Sequence, residues 1–167
     1  MPSPSGLLRV FTDAGIEFIV VGGVAAVLNG AAVNTFDTDM VHARDPENIA
    51  RILSVLETIN GIFRMQPDRR LRPNASHLAG RGHLNLVTTM GPLDLLCTIG
   101  RGLAFEDLLP HTTSMELGGG AAVKVLNLET LIGLKEELNG DKDRIALPFL
   151  RQALKLKQAN EASKTQD

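Results

Sequence analysis

Glu17-Phe18-Ile19-Val20-Val21-Gly22-Gly23-Val24-Ala25-Ala26-Val27-Leu28-Asn29-Gly30, followed shortly by Thr35-Phe36-Asp37-Thr38-Asp39-Met40-Val41, is the stretch on which the fold turns. The near-continuous apolar character of Phe18 to Val21 predicts a strand buried on both faces. Gly22-Gly23 breaks it, Val24 to Leu28 reads as a short helix, and Asn29-Gly30 stops that helix. Thr35 to Val41 predicts a second, less apolar strand lying beside the first in one sheet. Side chains two apart on a strand share a face, so Asp37 and Asp39 project together with Thr35 beside them. Adjacent carboxylates repel unless a cation sits between them. Glycines at a strand-to-helix turn let the backbone approach a phosphate, which the free N–H groups of the helix start attract. Consecutive elements thus offer a phosphate cradle at Gly22 and Gly23 and a metal-binding pair. The plainer alternatives are an ordinary turn and an edge strand whose acids face water.

A third acid would complete a site for two-metal chemistry. Asp94 is the candidate, because it interrupts the apolar run Pro92-Leu93-Asp94-Leu95-Leu96, where an acid is costly unless water, a cation or a donor satisfies it. His83 to Thr89 and Pro92 to Thr98 predict two strands of a hairpin around Met90-Gly91. His83 and Asn85 would line the surface next to Asp94. The competing reading pairs a buried Asp94 with a nearby arginine or histidine.

The rest of the chain fills out an α+β domain, a mixed sheet with helices packed on it. Leu7, Leu8, Val10 and Phe11 mark a first helix with Ser5 as its cap, and Gly15 ends it. Asp45-Pro46-Glu47 is a strong helix start, and the apolar face from Ile49 to Ile59 follows it. Phe63 to Gly82 gives little periodicity and reads as a mobile surface segment. Its arginines 64, 69, 70 and 72 suit a solvated loop, with a substrate clamp as the alternative. A short helix is expected around Phe105 to Leu109. A second hairpin turns at Gly118-Gly119-Gly120 with Ala122 to Leu126 as its return strand. Asn127 caps a helix running to Leu138, and a last helix is kinked or restarted by Pro148. The whole reads as one domain over residues 1–157 with a polar, frayed tail at 158–167.

Composition narrows the classes. The chain has 167 residues, enough for a real core, and its net charge of −2 demands neither a nucleic-acid nor a membrane partner. The single cysteine, Cys97, excludes an internal disulfide and sits in an apolar run as a small buried hydrophobe. The Pro/Ser-rich start has no signal-peptide pattern and no run reaches membrane-spanning length, so a cytoplasmic location is expected. His42, His77, His83 and His111 show no metal-ligand spacing, which argues against zinc.

Gly22-Gly23-Val24-Ala25, Asn29-Gly30 and Thr35-Phe36-Asp37-Thr38-Asp39 together resemble the signature of minimal nucleotidyltransferases of the DNA-polymerase-β superfamily, nearest to AbiEii-type toxins and related bacterial proteins. Leu128 to Lys135 and Lys142-Asp143-Arg144 resemble the family's C-terminal pattern. The resemblance runs from about Gly15 to Leu154. It implies a nucleotidyltransferase fold and transfer of a nucleoside monophosphate from a nucleoside triphosphate to a hydroxyl, with two Mg²⁺ ions held by Asp37, Asp39 and Asp94. Gly22, Gly23 and Thr35 would meet the nucleotide. Lys135 would offer a cation to a phosphate and Asp143 would lie close by. On the residues alone, Lys135 reads equally well as the exposed face of a helix and Asp143 as a helix-start acid. The acceptor could be a tRNA end, a protein hydroxyl or a small molecule, and a cognate antitoxin or a second copy are the implied protein partners. Two departures stand out. Val33 occupies a position where relatives commonly carry arginine, and Gly23 stands where many active members carry serine. Beside the enzyme therefore stands a second reading, a nucleotide-binding or protein-binding module that keeps the fold without turnover.

Overall fold

The computed structural model describes residues 4–165; the first three residues of the Pro/Ser start and the last two of the tail lie outside them. Helix α1 (Pro4–Asp13) leads into β1 (Phe18–Val21), α2 (Gly22–Leu28) and β2 (Thr38–His42). Then follow α3 (Pro46–Thr58), β3 (Ile62–Phe63), a 3₁₀ turn at Pro67–Arg69 and α4 (Ala75–Ala79). The hairpin β4 (His83–Thr88) and β5 (Gly91–Leu96) precedes α5 (Phe105–Leu108) and a second 3₁₀ turn at Leu109–His111. The hairpin β6 (Thr112–Gly118) and β7 (Ala121–Leu126) leads to α6 (Leu128–Leu138) and α7 (Asp141–Lys164).

The strands form one mixed sheet in the order β3-β4-β5-β2-β1-β7-β6, so the expected α+β class holds. β1 and β2 are neighbours as the sequence predicts, and they run antiparallel with Val21 opposite Asp39. β2 pairs in parallel with β5, and β1 pairs in parallel with β7. All four residues of β1 are buried, which matches its unbroken apolar run. The larger apolar cluster gathers α1, α3 and the central strands around Phe11, Ile52, Met40 and Leu95. A smaller cluster joins Ala26 of α2 to Leu128 and Ile132 of α6 and to Leu147 and Leu150 of α7.

Local chemistry accounts for the helix ends. Asp45 accepts from the Asn48 N–H and Pro46 opens α3, while Asn127 accepts from the Thr130 N–H at the start of α6. Asn48 itself is fully buried. Its side chain accepts from the Glu17 N–H and donates to the carbonyls of Glu17 and Ala43, tying α3 to both central strands.

The structure corrects several expectations. α1 begins at Pro4, so Ser5 lies in its first turn rather than capping it. The segment from Phe63 to Gly82 is not a featureless surface loop. It carries the end of β3, a 3₁₀ turn and α4, and it buries Leu78 completely. Its short elements each fall below the length at which periodicity becomes visible. α7 continues through Pro148, and residues 158–164 extend it as an exposed polar end. Cys97 is buried as expected, against the carbonyls of Leu78 and His77. Burial pushes its thiol up. Among the described residues no helix is long and apolar enough to cross a membrane.

Candidate functional site

β2 is shorter than the sequence suggests, and the difference bears on the acids. Pairing with β5 starts at Thr38 opposite Leu93. One residue earlier the partner would be Pro92, which has no N–H to give, and β1 has already turned into α2. Asp37 therefore lies in the bend before the strand, where the Thr35 hydroxyl donates to its carbonyl at 3.2 Å. Phe36 beside it is 86% exposed. The two-apart strand argument for Asp37 and Asp39 thus fails in its premise.

The acids converge nonetheless. Asp39 on β2 stands in register with Asp94 on β5, and Asp94 stands in register with Asn85 on β4. In-register neighbours share a face, so Val21, Asp39, Asp94 and Asn85 form one row across four strands. Exposure grows along that row, from buried Val21 through half-buried Asp39 and Asp94 to exposed Asn85. Arg64, one residue beyond β3, closes the group: one guanidinium nitrogen donates to Asp94 Oδ1 at 2.9 Å and another lies 3.6 Å from Asp37 Oδ2.

Burial raises the Asp39 carboxyl from its ordinary 3.8 to about 7, helped by a hydrogen bond with Asp94 and by the charges of Asp94 and Asp37, with Arg64 acting the other way. Asp39 Oδ1 is buried and has no partner. A desolvated carboxylate with a spare oxygen next to two further acids has the chemistry of a hard-cation site. Mg²⁺ usually needs only one or two carboxylates, with waters and substrate phosphates completing its shell. The donor set fits that ion. No cluster of three or more His, Cys, Asp or Glu among the described residues is disposed as a ready-made metal site, however.

The glycine pair answers to these side chains. Gly22 has φ +65°, and a Cβ there would overlap the Asp39 carboxylate. A Cβ on Gly23 would fall 2.6 Å from the Thr35 hydroxyl oxygen. Thr35 and Asp39 are thus packed against the turn from β1 into α2, where Val21 at the N-cap offers no side-chain acceptor.

A cavity of about 300 Å³ opens on the same edge of the sheet. Gly22, Asp39 and His83 line it on the sheet side, while Leu131, Leu134 and Lys135 of α6 form the opposite wall. Lys135 is held at 3.2 Å by Asp143, which also accepts from the Gly140 N–H at the start of α7. Asp143 is thus a helix-start acid, as one of its two readings had it, and it also pairs with Lys135. Gly23, Thr35, Asp37, Asp94 and Asp143 do not line the cavity.

Val33 is half-buried against the smaller apolar cluster. The residue that sequence reasoning undervalued is Arg64. The Ile62-Phe63 pair just before it makes a two-residue strand on β4, too short to leave a readable pattern in the sequence, and Arg64 follows directly from it. Arg69 and Arg72, by contrast, bond only to Gln66 and Asn60 at the surface.

No protein-family model matches the chain, and no curated protein is significantly similar to it. Among solved structures, a Thermotoga maritima protein described as a "putative nucleotidyltransferase" is similar at 17% identity, over 99% of this chain and 93% of that one, with a TM-score of 0.48. A likeness at that level assigns this chain no activity.

Proposed function

We propose that the protein is a Mg²⁺-dependent nucleotidyltransferase, moving a nucleoside monophosphate from a nucleoside triphosphate to a hydroxyl acceptor. What supports this reading is the in-register Asp39–Asp94 pair with Asp37 beside it, of which Asp39 lines a cavity whose far wall bears Lys135. Asp39 and Asp94, with Asp37, would hold the metal. The bound metal would supply positive charge against the phosphate oxygens.

The chain's own groups do the rest. The cavity volume falls at the lower end of the range for small-molecule sites, and its leucine wall suits a nucleobase. Lys135 would meet the triphosphate from α6, exchanging Asp143 for a phosphate oxygen. Asp94, in register beside Asp39, would take the proton of the acceptor hydroxyl, while buried Val21 keeps water from that end of the row.

The second reading, a binding module without turnover, is favoured by one observation. Arg64 already pairs with Asp94 and lies near Asp37, and Lys135 pairs with Asp143, so these charged groups, Asp39 excepted, have internal partners. Calorimetry with ATP, GTP, CTP and UTP, with and without Mg²⁺, separates the two when coupled to an assay of pyrophosphate release. The enzyme binds one or more triphosphates only with Mg²⁺ and releases pyrophosphate, and Asp39→Asn abolishes both. Mg²⁺-dependent binding without release selects the module. Absence of Mg²⁺-dependent binding rejects the enzyme and the nucleotide-binding module and leaves the protein-binding one.

A further inference from the structure

Of the five arginines between Phe63 and Gly82, Arg64 is the one ion-paired to the acids among the described residues, and its backbone shows why. The Arg64 N–H donates to the Asn85 carbonyl at 2.9 Å, extending the β3–β4 pairing by one residue. Asn85 is the register partner of Asp94, so the sheet itself delivers the guanidinium to the carboxylate row. One terminal nitrogen is shared between Asp94 Oδ1 and the Leu86 carbonyl, both at 2.9 Å. The contact to Asp37 is longer, at 3.6 Å, and Arg64 Nε is buried without a partner. This guanidinium is firmly anchored at one carboxylate, loosely at a second, and not fully satisfied. A cation held that way at oxygens a metal would need is a competitor with a modest grip.

We propose that Arg64 is an internal counter-ion that competes with the divalent cation for Asp94 and Asp37, holding the carboxylate cluster in a metal-free state until a metal displaces it. The inference rests on the reading of this cluster as the metal-binding centre. Asp94 Oδ1 cannot serve a guanidinium N–H and a metal in the same direction, so each ion bound weakens the other. A displaced guanidinium, its backbone still fixed to β4, would remain within a side-chain length of the cluster as a partner for a phosphate oxygen. The grip amounts to one charge-assisted hydrogen bond and one longer ion pair, and removing it should tighten metal binding about tenfold.

The test uses the full chain and Mn²⁺ alone, with bound ion followed by electron paramagnetic resonance and calorimetry. Arg64→Gln should bind Mn²⁺ about tenfold more tightly than the wild type, and Arg64→Lys, which keeps a charge but loses the fork, should fall between them. A purely structural arginine would lower the melting temperature of Arg64→Gln and leave Mn²⁺ affinity unchanged or weaker; that result overturns the competition and spares the metal site. Failure of both proteins to bind Mn²⁺ overturns the competition and the metal reading together. A measurement on the wild type alone removes dependence on any variant's folding. Titrating Mg²⁺ should shift the ¹⁵Nε resonance of Arg64 in step with binding, and binding without that shift refutes displacement.

Discussion

Replacing Asp39 by Asn keeps the shape of the carboxylate row and removes the ionisable group at its centre. In the folded chain this carboxyl titrates at about 7 instead of 3.8. At 1.36 kcal/mol per pH unit, the difference corresponds to about 4 kcal/mol between its two forms. Asp39 is only half-buried, and solvent screening brings the observable effect to about 2 kcal/mol. The sign follows from which state holds the proton more tightly. The folded state does, so the stability that proton lends is complete below about pH 4 and is lost as pH rises through about 7. Asparagine has no proton to lose there. In metal-free, chelated buffer, Asp39→Asn should therefore gain on the wild type as pH rises. The gain should reach about 2 kcal/mol near pH 8, or about 4–8 °C in melting temperature for a chain of this size. Denaturation of both proteins at half-unit steps from pH 4 to 8 measures it. A constant difference across that range, or one that shrinks with pH, would refute the desolvated and coupled carboxylate.

Two further outcomes concern the departures from the nucleotidyltransferase pattern. Gly23→Ser should cost about 1–3 kcal/mol, because its Cβ meets both the hydroxyl oxygen and the Cβ of Thr35; adding Thr35→Gly, which removes both atoms, should recover part of the loss in chemical denaturation, and no recovery would place the clash elsewhere. Val33→Arg should lower the melting temperature without strengthening triphosphate binding, since Val33 packs on the cluster of α2, α6 and α7; a gain in affinity by calorimetry at unchanged melting would instead put this position beside the phosphates.

The central strands, both hairpins and the capped helices were legible because each writes its own period or stop signal: the apolar run of β1, Asp45-Pro46, Asn127, and Gly118-Gly119-Gly120. Asp94 was legible too, as a polar residue inside an apolar strand, and Asp39 through its spacing from Asp37. That Asp94 would lie directly beside Asp39 was not, because it depends on the parallel register of β2 with β5, a pairing between distant segments that leaves no local trace. Asp37 was found for an incorrect reason, since the end of its strand is set by Pro92 on another strand. Arg64 was hidden for a related cause. A two-residue strand has no periodicity, and only its partner β4 shows where the arginine goes. The reason for the glycine pair was equally tertiary, lying in Asp39 and Thr35 rather than in the turn alone.

The parallel contact of β1 with β7 joins Ile19 to Lys124 and Val20 to Val125. While the polypeptide is being made, β1 and β2 emerge long before β7, so the inner strand of the finished sheet spends that interval as an open edge. Four consecutive buried apolar residues, Phe18 to Val21, then present unpaired backbone to other chains. Such late closure of distant strands slows folding and lengthens exposure to misassembly. The cavity is completed by the same event, because α6 with Lys135 follows directly from β7. A nascent chain released before Leu126 would thus have its carboxylates but neither a finished sheet nor the second wall of the cavity.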